Sequence, residues 1–154
     1  MVLAADRGVA TGIAGAPDPR RVAAHVCVNT IVGGVSKGRR TAALGGGVDV
    51  VVACPGRLED LMKQGFVTLD AIEITILDEA DHMADLGFLP CVRRIMDQTP
   101  RSGQRMLFSA NLDAGVNVIV KRFLTNPVTH HADSELSQIA TMTHHIFHVR
   151  SDAR

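Results

Sequence analysis

Residues 76–88 read ILDEADHMADLGF. An apolar run stops at Asp78, and the carboxylates Asp78, Glu79 and Asp81 follow at once. Like charges this close repel, so they persist where a ligand compensates them or water screens them. The preceding residues 72–77 (IEITIL) have the length and β-branching of a buried strand. Acids at a strand end fit two readings. Asp78 and Glu79 can hold Mg²⁺ through oxygen and water beside a nucleotide's phosphates, with one carboxylate orienting the attacking water. Alternatively they simply begin a helix, whose N-terminal dipole favours acids.

Working outward, short apolar runs alternate with helix-like segments. Residues 2–5 form a possible strand stub, and strands are expected over 24–32, 48–54, 72–77 and 104–109. A short helix is expected over 36–44, capped by Ser36 and stopped by Gly45-Gly46-Gly47. Further helices are expected over 57–64, 89–99 and 113–124. In the last two, Leu89, Val92, Ile95 and Met96, then Val116, Ile119, Val120 and Phe123, fall on single faces. Alternating strands and helices imply an α/β fold, a mostly parallel sheet with helices on both faces. Ligands of such sheets bind beyond the strands' carboxyl ends. Three polar clusters fall there: Cys54-Pro55-Gly56-Arg57, Asp78-Glu79-Ala80-Asp81 and Ser109-Ala110-Asn111.

Composition bounds the class without naming a partner. Lys plus Arg equals Asp plus Glu at 16 each, so no bulk basic field advertises nucleic-acid binding. Cys27, Cys54 and Cys91 are odd in number, scattered and without CxxC spacing, as expected of reduced thiols in a cytoplasmic protein. No apolar run approaches the roughly 18 residues of a membrane-spanning helix, so no membrane partner is expected.

Four stretches together, ILDEADHMADLGF, VVVACPGRLEDL (50–61), GGVSKGRR (33–40) and QRMLFSAN (104–111), resemble the DEAD-box RNA helicases in order and spacing. The resemblance implies a partial RecA-like domain of the P-loop NTPase type over residues 1–131. Residues 132–154 would be an interdomain linker and the start of a second domain. It also implies ATP and Mg²⁺ as cofactors and RNA as partner. Asp78 and Glu79 then correspond to the Mg²⁺-associated and water-activating carboxylates. Asp81, Ser109 and Asn111 correspond to the contact that couples the nucleotide and RNA sites. Arg7, Gly33, Gly34, Pro55, Gly56 and Arg57 correspond to RNA-backbone contacts, where glycines admit phosphates closely and arginine forks onto their oxygens.

Several positions depart from the family's pattern. The family usually reads Ser-Ala-Thr where this chain ends in Asn111, and Thr where it has Cys54. Asp6 stands at a phosphate-binding Thr and Gly8 at a Glu. No GxxxxGK[ST] phosphate-binding loop occurs in the 154 residues. The chain is therefore expected to be a truncated first domain, not competent for ATP hydrolysis by itself. Without the loop-bearing strand, residues 104–109 would present an unpaired edge open to self-association or to an intact helicase. The competing expectation is a non-catalytic RNA-binding or helicase-docking module. A third idea, metal binding by His130, His131, His144, His145 and His148, meets an objection: residues 143–149 alternate like a strand, which points adjacent histidines to opposite sides.

Overall fold

The computed structural model describes residues 1–16, 19, 23–33 and 47–131. Five strands form one sheet: β1 (Val2–Leu3), β2 (Val28–Ile31), β3 (Val50–Ala53), β4 (Ile74–Leu77) and β5 (Gln104–Leu107). Their order is β2-β3-β1-β4-β5, and every pairing is parallel. The stub at residues 2–5 is thus the middle strand. Its two ladder residues are flanked by further main-chain bonds, Ile76 N to Met1 O at 2.9 Å, Asp78 N to Leu3 O at 2.9 Å and Ala4 N to Ala53 O at 3.0 Å.

The helices are α1 (Arg7–Gly15), α2 (Pro55–Lys63), α3 (Ala80–Asp85), α4 (Leu89–Met96) and α5 (Ala114–Phe123). The expected helix at 57–64 starts earlier, with Pro55 in its first turn, where a missing N–H costs nothing. The expected helix at 89–99 ends sooner, at Met96; the Thr99 hydroxyl donates to Met96 O at 2.8 Å and helps close the turn. The helix expected at 36–44, the Gly34 contact, the linker and the tail histidines His144, His145 and His148 lie outside the described residues.

Alternation along the strands divides the core in two. On one face Leu3, Ala53 and Leu77 pack beneath Leu58 and Leu61 of α2, Ile95 and Met96 of α4, and Ile119 and Phe123 of α5. Burying each such aliphatic side chain is worth about 1.5–3 kcal/mol, so this face supplies most of the stability. On the other face Ala4, Val32 and Val52 meet Ala10 of α1. That cover reaches β2 and β3; towards the other edge Ile74 and Phe108 stay 44% and 54% exposed.

Candidate functional site

The middle position of β1 decides what meets at the strands' carboxyl ends. Asp6 follows β1, Cys54 follows β3, Asp78 and Glu79 follow β4, and Ser109 follows β5. Because these strands adjoin, Asp6, Asp78, Glu79, Asp81, His82, Phe108, Ser109 and Ala110 line one open cleft of about 630 Å³. The structure therefore brings together Asp78, Glu79, Asp81 and Ser109 and adds a fourth carboxylate, Asp6. His82 and Phe108 were not singled out from sequence; each is the immediate neighbour of a chosen residue, which was the available signal.

The chain leaves β4 through a strained corner. Glu79 is left-handed, at φ 53° and ψ 53°, a region costly for a residue with a Cβ. Asp78 Oδ1 accepts the Glu79 N–H at 3.1 Å, and Ala80 N donates to Phe108 O at 3.0 Å, which ties the corner to β5. The corner turns α3 so that Ala80 and Met83 are buried while Asp81 faces the loop after β5.

There Asp81, Ser109 and Asn111 form a closed clip. The Asp81 N–H donates to Ser109 Oγ at 3.2 Å, Asn111 N–H to Asp81 Oδ2 at 3.2 Å, and the Ser109 hydroxyl to Asn111 O at 2.6 Å. Burial raises the Asp81 carboxyl's pKa, but hydrogen bonds from main-chain N–H groups, His82 first, outweigh it, so the net shift is downward. The serine has one proton; the short contact to Asn111 O is the better claimant than the carboxylate. Asn111 takes part through its main chain alone, so Asn in place of Thr leaves the clip intact.

The residues matched to RNA contacts lie around the same end of the sheet. Gly33 is exposed in the turn after β2. Pro55 is buried at the start of α2, with exposed Gly56 and half-buried Arg57 beyond it. Among the described residues the Arg57 guanidinium has one weak partner, Asp60 at 3.5 Å, and its Nε is buried without a hydrogen bond. Arg7 is exposed in the first turn of α1. Asp6 has a structural task too, since its carboxylate caps α1 by accepting Val9 N–H at 2.9 Å. The Cys54 thiol is pushed upward in pKa by burial and then by the charge of Asp6, so it stays a neutral thiol near pH 7.

Carboxylate oxygens are the hard donors that Mg²⁺ prefers. Among the described residues no three His, Cys, Asp or Glu side chains converge to enclose a metal by themselves. Asp78 and Glu79 present such oxygens to the cleft, so the donor chemistry fits Mg²⁺, with phosphate oxygens and water completing its shell.

The sequence profile of the DEAD/DEAH box helicase family matches residues 19–118, so this chain belongs to that family. It is 39% identical over 125 residues to the ATP-dependent RNA helicase RhlB of Pseudomonas putida, covering 79% of this chain and 31% of that protein. It is 41% identical over 99 residues to DEAD-box ATP-dependent RNA helicase 5 of Oryza sativa, covering 64% and 19%. The solved yeast DEAD-box splicing factor Prp28 superposes with a TM-score of 0.74 at 27% identity, over 80% of this chain and 30% of that one. A hypothetical ATP-dependent RNA helicase from Sulfolobus tokodaii gives 0.72 at 32% identity, over 81% and 38%. The chain thus spans about a seventh to a third of the length of the curated relatives it matches. The parallel sheet with helices on both faces is a RecA-like α/β fold.

Proposed function

We propose that this chain supplies the acidic and RNA-facing part of the first RecA-like domain of an ATP-dependent RNA helicase. The observation that carries the reading is the single cleft gathering Asp78, Glu79, Asp81 and Ser109 where β4 and β5 end side by side. Asp78 would hold the Mg²⁺ that arrives with a nucleotide, and Glu79 would orient the attacking water and accept its proton. The ion, when bound there, would supply neutralisation of the charge on the transferring phosphoryl group. On the family's pattern the Asp81–Ser109–Asn111 clip would couple that position to bound RNA, and Arg7, Gly33, Gly34, Pro55, Gly56 and Arg57 would meet sugar and phosphate without reading bases.

Within these 154 residues no Lys-bearing phosphate loop occurs, so the main electrostatic stabilisation of phosphoryl transfer is not supplied by this chain. The carboxylates orient and accept; they do not grip a nucleotide by themselves. Unbridged Cys27, Cys54 and Cys91 suit a reducing, cytoplasmic compartment. Among the described residues no helix is long and apolar enough to cross a membrane.

Single-stranded RNA binding, read by fluorescence anisotropy over a salt series, tests the RNA half. The reading expects weak, sequence-tolerant binding, and Arg57→Ala reduces the slope of log K against log salt by about 0.7. Binding that is insensitive to salt and to Arg57 contradicts it. A second reading, docking to a helicase or to another copy, is favoured by the position of β5 at the sheet edge among the described residues, beside exposed Phe108. Sedimentation velocity between low and high micromolar concentration separates the two: a concentration-independent monomer removes the self-association arm.

A further inference from the structure

The acidic cleft sits at the carboxyl end of β5. Near the opposite end of that strand lies a smaller cavity of about 210 Å³, lined chiefly by Asp97, Thr99, Arg101, Arg105, Arg122 and Thr125. Arg105 and Ser109 are four residues apart, roughly 13 Å of extended chain, and the two hollows share no lining residue. The second has the opposite charge. Arg105 is half-buried and donates to Phe123 O at 3.0 Å, Thr99 Oγ1 at 3.2 Å and Pro100 O at 3.3 Å, all neutral acceptors. Among the described residues Asp97 is the one carboxylate in the lining, and both its oxygens are held by Arg122 at 2.9 Å.

Helices α4 and α5 end near this cavity, at Met96 and Phe123, and each C-terminus contributes about half a negative charge. Three guanidinium groups less Asp97 and both helix ends still leave about one positive charge. The Phe123 ring lies 5.6 Å from the Arg105 guanidinium carbon and 5.3 Å from that of Arg122, a contact that holds both groups in place. Among the described residues Arg105 Nε is buried with no hydrogen-bond partner. The hollow has the volume of roughly seven waters, at about 30 Å³ each, more than a tetrahedral oxyanion requires.

We propose that this cavity binds a phosphate-type oxyanion, as free phosphate or as the phosphate monoester of a small molecule, between Arg101, Arg105 and Thr125. The site is separate from the acidic cleft, and its proposal does not rest on the helicase reading. Inorganic phosphate titrated into the 154-residue chain at fixed ionic strength, with chloride as the balancing ion, is followed by backbone amide shifts. Saturable shifts at residues 99–105 and 122–125 are expected. Arg101→Ala weakens binding about tenfold, the loss of one charge-assisted contact. Arg101 is exposed, so that variant keeps the fold. Asp97→Asn removes the competing carboxylate and tightens binding. A parallel titration with glycerol 2-phosphate separates the sources: binding of phosphate alone assigns the free ion, and binding of both admits a monoester. No saturable shift with either probe, shifts centred elsewhere, or affinities unchanged by both variants would overturn the proposal.

Discussion

Glu79 combines a proposed chemical task with a conformation that a side chain makes costly. At φ 53° it stores about 1 kcal/mol or more of backbone strain, retained because the corner also aims α3 and ties it to β5. Glu79→Gly is therefore expected to unfold within about 0.5 kcal/mol of the parent in urea, as relieved strain offsets the freer unfolded chain. Glu79→Val, β-branched in the same corner, loses about 1–2 kcal/mol. A Gly variant much less stable than Val would show that the corner is not strained. In the clip, Ser109→Ala loses about 1 kcal/mol, whereas Asn111→Thr stays within about 0.5 kcal/mol because only its main chain is engaged. The tetrad was legible in sequence because its residues are contiguous and chemically conspicuous. The clip's geometry was not, since Asn111 contributes main-chain atoms that no side-chain identity reveals.

Between elements, the contact of α2 with α4 rests partly on a charged cluster. Arg94 bonds both carboxylate oxygens of Glu59, and Lys63 reaches it at 3.2 Å. Arg94 chiefly, opposed by burial and helped by Lys63, holds the Glu59 carboxyl at a pKa of about 2. Its unfolded value is about 4.3, so the unfolded chain binds the proton more readily. The stability from this pair is present above about pH 5 and is lost as pH falls towards 2. Glu59→Gln should cost about 1 kcal/mol at pH 7, given the partly exposed arginine, and flatten the acid limb of a stability–pH curve. An unchanged acid limb would remove the pair from the account. Gly103 precedes β5 so closely that an added Cβ would sit 2.7 Å from Glu73 O; Gly103→Ala is expected to lose about 1–3 kcal/mol in denaturant melts. Helices α4 and α5 were legible because their apolar faces repeat at helical spacing. Helix α1 was not: Gly8, Gly12 and Gly15 lower its propensity, and burial of Ala10 against Ala4, Val32 and Val52 overrides them. The Asp6 cap was its one local signal.

Across the whole molecule, strand alternation announced a parallel sheet, yet it could not announce that a two-residue strand lies in the middle. That placement comes from pairing on both sides of Val2 and Leu3, a non-local fact. It is also what brings Asp6 into the acidic cleft, so the cleft's four carboxylates follow from topology as much as from the tetrad. In the proposed function, Asp78, Glu79 and the Asp81–Ser109–Asn111 clip serve the carboxylate and coupling part of a helicase's nucleotide site, and no GxxxxGK[ST] phosphate grip occurs within these 154 residues. The direct test is ATP hydrolysis by the purified 154-residue chain with Mg²⁺, with and without RNA. No RNA-stimulated turnover above background is expected. Stimulated turnover that Glu79→Gln abolishes would contradict it, because some segment of these 154 residues would then be gripping the phosphates.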